Sequence, residues 1–308
     1  MTERIRVGVV GVGRWGRVHA SKYATLQGAE LVGVVDIRKE RARAVATLFG
    51  ARPYYHHLEL LGKVDAVSVA TPTTTHYQIA KDFLEAGVDV LLEKPMASTL
   101  QEARELEELA SRQGLILQIG HLERFNGAVA DLDGRIDGLE HVEAYRLSPF
   151  SGRGTDVNVV LDLMIHDLDL LLYLAPMEVK HIEAEGEQRL SSGVDVARAR
   201  IWTKGGWRVE LVSSRVASRK VRKMVLHRAE GTLQLDFLRH RFSLQGRDGT
   251  LEGGSPRDSL REEISSFLES VRRREPPVVR ASDGRRALEL ALMISDLVEG
   301  RCLREDGS

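Results

Sequence analysis

From Arg4 to about Ile119, short apolar runs alternate with longer stretches whose apolar positions recur every three or four residues. The short runs, at 5–10, 30–36, 64–70, 88–93 and 115–119, carry Val, Ile and Leu on both faces. Strands apolar on both faces belong to a parallel sheet covered by helices on each side. The intervening stretches, 15–26, 39–49, 75–86 and 100–113, have the helical period, and Gly28, Gly50, Gly87 and Gly114 follow them where C-terminal caps belong. The alternation predicts a doubly wound α/β domain of Rossmann type over residues 1–121.

The rhythm changes near His121. A short helix at 125–136 and a strand at 140–147 lead into a loop rich in Gly, Ser and Asp, then a helix at 159–174. Strand-like segments follow without intervening helices, at 180–187, 194–204, 207–215, 221–228, 232–238 and 241–244. Leu233, Leu235 and Phe237 alternate with Gln234 and Asp236, the period of a half-buried strand. Residues 122–308 are therefore expected to form an α+β domain with an open, mostly antiparallel sheet. Its two terminal helices, 258–274 and 283–298, flank Pro276-Pro277 and are free in sequence to pack back on the first domain.

Length and composition agree with two globular domains: 308 residues, 43% hydrophobic and 29% charged. With 44 Lys and Arg against 45 Asp and Glu, the net charge of -1 argues against nucleic acid or an anionic membrane as the main partner. The single cysteine, Cys302, allows no intrachain disulfide, and the N-terminus lacks a signal peptide's apolar core and cleavage site. The most apolar segment, 161–175, is interrupted by Asp162, His166, Asp167 and Asp169 and is no membrane span. A cytoplasmic protein with a small-molecule substrate is the expectation.

Candidate chemistry begins at Gly11-Val12-Gly13-Arg14-Trp15-Gly16, a G-x-G-x-x-G loop between a strand and a helix. The first Gly permits the tight turn, the second lets the backbone approach a pyrophosphate, and the third lets helix and strand pack closely. The helix N-terminus then faces the phosphates with N–H groups and positive dipole. Asp36 ends the second strand, where an acid binds the adenosine ribose and repels the extra phosphate of NADP, so NAD is favoured. Arg38 complicates that choice, since a nearby Arg stacks on adenine or pairs with a phosphate.

The strand at 88–93 ends in Glu93-Lys94-Pro95, which places Lys94 beyond the carboxyl end of the sheet, where ligands bind in such folds. On the helix at 159–174, Asp162, His166, Asp169 and Tyr173 fall on one stripe at 100° per residue. A narrow polar stripe on a helix otherwise of Leu, Ile, Met and Val faces a wet cleft or a polar partner. An Asp–His pair that only satisfies itself is the plainer alternative. No further His or Cys completes a metal site, so no metal is expected.

The glycine loop, Glu93-Lys94-Pro95 and Asp162-x-x-x-His166, in this order, resemble the Gfo/Idh/MocA oxidoreductase family, and the likeness runs over essentially the whole chain. The resemblance implies a dehydrogenase in which Lys94, Asp162 and His166 surround the reacting carbinol. His166 would be the general base, Lys94 would polarise the oxygen, and Asp162 would orient both substrate and histidine; Lys94 and His166 are interchangeable in these roles. It also implies nicotinamide-side contacts from Thr71, Pro72, Thr73 and His76, with Glu93, Arg14 and Trp15 at the cofactor. His56 and His57 match no motif and read as surface residues. Homo-oligomers through the open sheet are a family expectation.

Gly120 to Asn126 and Ser148 to Asp156 resemble one branch of that family, which oxidises the 3-hydroxyl of UDP-N-acetylglucosamine ahead of an aminotransferase making a diamino sugar for lipid A. Gly127 stands where that branch usually has Pro. Arg124 and Arg153 are candidate pyrophosphate ligands and Asn126 a reader of the sugar or acetamido group, although both arginines read nearly as well as solvated loop residues. Two alternatives stay open: a dehydrogenase of a free cyclic polyol or sugar, such as inositol or glucose, and a non-catalytic NAD-binding regulator.

Overall fold

The computed structural model describes residues 4–132, 136–152, 157–175, 177–247 and 249–300. Cys302 lies outside them. Strands β1 (Ile5–Val10), β2 (Ala29–Val35), β3 (Arg52–Tyr54), β4 (Ala66–Val69), β5 (Asp89–Glu93) and β6 (Leu117–Gly120) alternate with helices α1 (Arg14–Tyr23), α2 (Lys39–Phe49), α3 (His76–Glu85) and α4 (Leu100–Gln113). Next come α5 (Gly127–Ala130), β7 (Leu139–Leu147) and α6 (Ile165–Leu174). Strands β8 (Val179–Glu187), β9 (Val196–Thr203), β10 (Arg208–Ser214), β11 (Val221–Arg228), β12 (Gly231–Asp236), β13 (Arg241–Gly246) and β14 (Gly249–Gly253) precede helices α7 (Ser259–Arg273) and α8 (Ala281–Val298). Among the described residues no helix is long and apolar enough to cross a membrane.

One compact unit comprises residues 1–122 and 258–285, the other 123–257 and 286–308. In the first, six parallel strands lie in the order β3-β2-β1-β4-β5-β6. The order reverses between β1 and β4, which opens a crevice at their carboxyl ends. Gly50 and Gly114 cap α2 and α4 in the left-handed conformation. Gly28 does not cap, because α1 already stops at Tyr23; its carbonyl instead accepts the Ile5 N–H. Residues 258–285 join this unit because α7 buries Leu260, Ile264, Phe267, Leu268 and Val271 in its core.

In the second unit eight strands lie in the order β14-β13-β12-β11-β7-β10-β9-β8, antiparallel except for the β7–β10 pair. One face of the sheet, with Val142, Ala144, Val209, Leu211, Met224 and Leu226, joins residues of α6 and Ala287, Ala291 and Ile294 of α8 in one core. The helix expected over 125–136 is only the single turn α5, capped by Asn126. The helix expected over 159–174 begins as a π-helical turn, Val160–Met164, before α6. The wide turn holds Asp162, so counting 100° per residue does not place it against His166.

Under the sheet lie buried ion pairs. Arg146 holds Asp167 with Nε and Nη2 (3.0 and 2.7 Å) and donates from Nη1 to Glu123 Oε1 (2.8 Å). Arg124 holds Asp169 in the same two-pronged way (2.9 and 2.6 Å) and lies 4.6 Å above the Tyr173 ring. Asp169 thus faces a polar partner, one of the two surroundings expected for the stripe, and Arg124 is buried in an ion pair and is not a solvated loop residue. Asn126 is likewise engaged, its Oδ1 accepting the Ala128 N–H and its Nδ2 donating to Glu123 and to the Phe237 carbonyl.

In the first unit Glu263, on α7, is fully buried, and neither carboxyl oxygen has a hydrogen-bond partner among the described residues. Burial first, and the nearby negative charge of Glu93 second, hold its pKa well above the ordinary carboxylate value, which favours the neutral form.

Two outcomes follow from these burials. Arg124→Ala removes the two-pronged partner of the buried Asp169 and should cost about 3–5 kcal/mol in urea unfolding; unchanged stability with only weaker substrate binding would make Arg124 a ligand instead. For Glu263 the folded pKa exceeds the unfolded one, so the native state loses stability as pH rises from the unfolded value towards the folded one. Glu263→Gln removes that ionisation and should gain on the parent across this window, by at most ~1.4 kcal/mol per pH unit. A variant equally destabilised at every pH would show the carboxyl to be ionised in the fold.

Candidate active site

The phosphate loop is built by three glycines with different tasks. Gly11 has φ +81°, and a Cβ there would lie 2.7 Å from the Ala70 carbonyl oxygen. A Cβ at Gly16 would lie 1.8 Å from the Gly11 carbonyl oxygen, which fixes how closely α1 approaches β1. At Gly13 a Cβ would meet only Arg41 Nη1, 3.8 Å away, so this glycine leaves its open side to a ligand. A cavity of about 790 Å³ lies over the loop, bounded by Gly11, Gly13, Trp15, Asp36, Thr71 and Pro72 among others.

Asp36 closes the far side of that cavity. Its Oδ2 accepts the Val12 N–H and Arg41 Nη1, both at 3.2 Å, and its Oδ1 accepts the Arg38 N–H at 2.9 Å. The carboxylate is thus fixed at the end of β2, where it suits ribose hydroxyls and opposes a phosphate. Glycine turn, helix N-terminus, acid and cavity together fit a dinucleotide, and Gly11, Gly13 and Asp36 would hold it. Arg41, Tyr55 and Gln78 also line the cavity and were not singled out in the sequence. His56 is exposed, as expected, and His57 half-buried; both border the cavity, His56 Nδ1 accepts the Leu58 N–H, and His57 Nε2 lies 2.7 Å from Asp82. Only after folding does β3, with Pro53 in a three-residue strand, bring them beside Asp36.

On the lysine side the side chains hold one another. Glu93 Oε1 accepts Trp15 Nε1–H (2.5 Å) and His19 Nε2–H (3.0 Å). Gly120 lies opposite Glu93 in register, and a Cβ there would come within 3.1 Å of the Glu93 carboxyl. Burial pushes the Glu93 pKa up, but the bonds from His19 and Trp15 and the charge of Lys94 outweigh it and keep the group ionised. Lys94 follows at the end of β5, half-buried, its peptide bond to Pro95 cis. His76 is buried, with Nδ1 2.8 Å from the Pro95 carbonyl oxygen and Nε2 2.8 Å from that of Thr71. Each ring nitrogen thus faces a carbonyl oxygen. Glu93 and His76, expected at the cofactor, therefore have their polar atoms engaged in strapping the glycine loop, the Thr71–Thr75 turn and the Lys94 turn together.

In the second unit Asp162 and His166 are both half-buried. Asn158 starts their helical segment, its Oδ1 accepting the N–H groups of Val160 and Leu161 (3.1 and 3.2 Å). The neighbouring acids Asp167 and Asp169 are buried in their arginine pairs, which leaves Asp162 as the accessible carboxylate of the stretch. Arg153 lies outside the described residues. At Gly127 a Cβ would stand 2.0 Å from the Ser255 carbonyl oxygen, so the proline usual at this place in the branch would not fit here.

Comparison with known proteins agrees with this geometry. Residues 5–121 match the model of the Gfo/Idh/MocA oxidoreductase family with its NAD-binding Rossmann fold. The chain is 36% identical to the UDP-N-acetylglucosamine 3-dehydrogenase of Acidithiobacillus ferrooxidans, over 96% of this chain and 97% of that protein. The solved structure of that enzyme superposes with a TM-score of 0.91, covering 97% of this chain and 99% of the other. It is also 29% identical to scyllo-inositol 2-dehydrogenase (NAD(+)) of Bacillus subtilis, over 95% of this chain and 93% of that one. With the scyllo-inositol dehydrogenase of Lactobacillus casei, at 20% identity and a TM-score of 0.83, it shares the fold. The chain belongs to the Gfo/Idh/MocA family of NAD-binding oxidoreductases.

Proposed function

We propose that the protein oxidises the 3-hydroxyl of UDP-N-acetylglucosamine to the 3-keto sugar, with NAD as the oxidant. The observation that carries this reading is the 36% identity to the Acidithiobacillus enzyme along nearly the full length of both chains. In the reaction the C–H hydride goes to the nicotinamide and the O–H proton to the protein, so atoms and charge balance as keto sugar, NADH and one proton. His166 takes that proton, Lys94 stabilises the developing alkoxide with its ammonium, and Asp162 orients the hydroxyl and the imidazole. A cytoplasmic homo-oligomer is part of the same reading. The polar face of the sheet, where Tyr145 is exposed, is open to a second copy.

Purified protein with NAD and UDP-N-acetylglucosamine should form NADH, with a coupled aminotransferase to draw off the keto product. No turnover here but clear turnover with free inositol would shift the substrate to the polyols, as the Bacillus relative's name suggests. Lys94→Ala and His166→Ala should each lower kcat by ~10²–10⁴-fold while NADH still binds. Near-normal kcat in both would remove these residues from the chemistry.

A further inference from the structure

Three arginines of the second unit lie under the sheet or on its flank, and two are fully accounted for. Arg124 and Arg146 each use the Nε–Nη2 edge of the guanidinium to grip a carboxylate, Asp169 and Asp167 respectively. Arg222, on β11, stands directly opposite Arg146 in register and on the same side of the sheet. Its one hydrogen bond among the described residues runs from Nη1 to Glu123 Oε1 (3.2 Å), an oxygen it shares with Arg146. The Nε–Nη2 edge of Arg222 has no partner among the described residues, and 34% of the side chain is exposed.

An arginine so placed is incomplete. Burial and the like charge of Arg146 both weaken its hold on its proton, while Glu123, Asp167 and Asp162 oppose them. Asp162 is the most weakly felt of these charges. The Nε–Nη2 edge is open to solvent, and its paired N–H donors match a two-oxygen anion. Arg219 and Lys220 precede Arg222 in the β10–β11 connection, where Ala217 N–H bonds the Ser148 carbonyl and so joins that connection to the loop after β7.

We propose that Arg222 is the substrate's anion ligand, its Nε–Nη2 edge gripping phosphoryl oxygens of the diphosphate in a sugar nucleotide. The inference rests on the function proposed above and gives to Arg222 the part that the sequence suggested for Arg124. A carboxylate, as in a uronic acid, presents the same pair of oxygens, and the test separates the two.

Wild type, Arg222→Gln and Arg222→Lys are compared as full chains for KM and kcat with UDP-N-acetylglucosamine, KM for NAD, inhibition by UDP and by glucuronate, and thermal midpoint. In Arg222→Gln the KM for the sugar nucleotide and the inhibition constant of UDP should both rise roughly ten- to hundredfold, with NAD KM and kcat within about threefold. Arg222→Lys, which keeps the charge and loses the fork, should fall between. It also carries the test if the glutamine variant does not fold. UDP inhibiting wild type and variants equally would overturn the proposal, as would an effect on glucuronate alone. A wild type that neither turns over UDP-N-acetylglucosamine nor is inhibited by UDP would instead overturn the function on which the proposal rests, and the proposal with it.

Discussion

The carboxylate of Glu93 is buried where β5 runs out beside the first turns of α1, and it accepts N–H bonds from Trp15 and His19, one turn apart on that helix. Through this one group the glycine loop and the strand that ends at Lys94 become a single rigid piece. A buried anion has to be compensated, and its surroundings follow from that requirement. Residue 120 on the neighbouring strand lacks a side chain, because any Cβ would press on the carboxyl. Burial, and then the negative charge of Glu93, push the Glu263 pKa up and favour its neutral form. His76 does the complementary work from the other side, bridging the carbonyls of Thr71 and Pro95.

The second unit solves a similar problem with paired charges. Arg146 on β7, Glu123 before α5 and Asp167 on α6 form one buried network, and Arg124 with Asp169 forms another alongside it. Such pairs add little net stability over apolar packing, but breaking one is expensive, so they act as register pins. They fix the rotation of α6 against the sheet. That rotation leaves Asp162 and His166 half-buried. The π-helical turn at 160–164 adds a local adjustment of where Asp162 projects.

What was legible in the sequence was mostly backbone. Parallel strands with apolar residues on both faces, left-handed caps at Gly50 and Gly114, and the glycine loop all act through sterics that a linear pattern records. The edge strand β3 escaped because three residues containing a proline carry no period, and with it the position of His56 and His57. The polar stripe on α6 was read with uniform helical geometry, which the π-helical turn breaks. It also treated four acids and rings as equivalent, although Asp169 was already committed to an arginine 45 residues earlier. Glu263 carried no signal at all. It sits in an amphipathic helix as one more acid, and only the packing of α7 shows that it faces inward.

The difference between Arg124 and Arg222 shows why side-chain roles in such a site resist linear reading. Both are long, charged and close in sequence to residues of interest, and by composition Arg124 has the better claim, being next to a motif. What separates them is competition for the guanidinium edge. Asp169 reaches Arg124 from α6 and occupies Nε and Nη2; no carboxylate of the described residues reaches the same edge of Arg222, because Glu123 is already shared with Arg146 and lies on the Nη1 side. An arginine becomes available to a ligand only when the fold fails to pair it, and that failure is a property of three-dimensional charge balance. A dinucleotide would thus meet glycines and N–H groups that a sequence displays, whereas under the proposal for Arg222 the substrate's anion would meet the cation that the buried carboxylates leave partly unpaired.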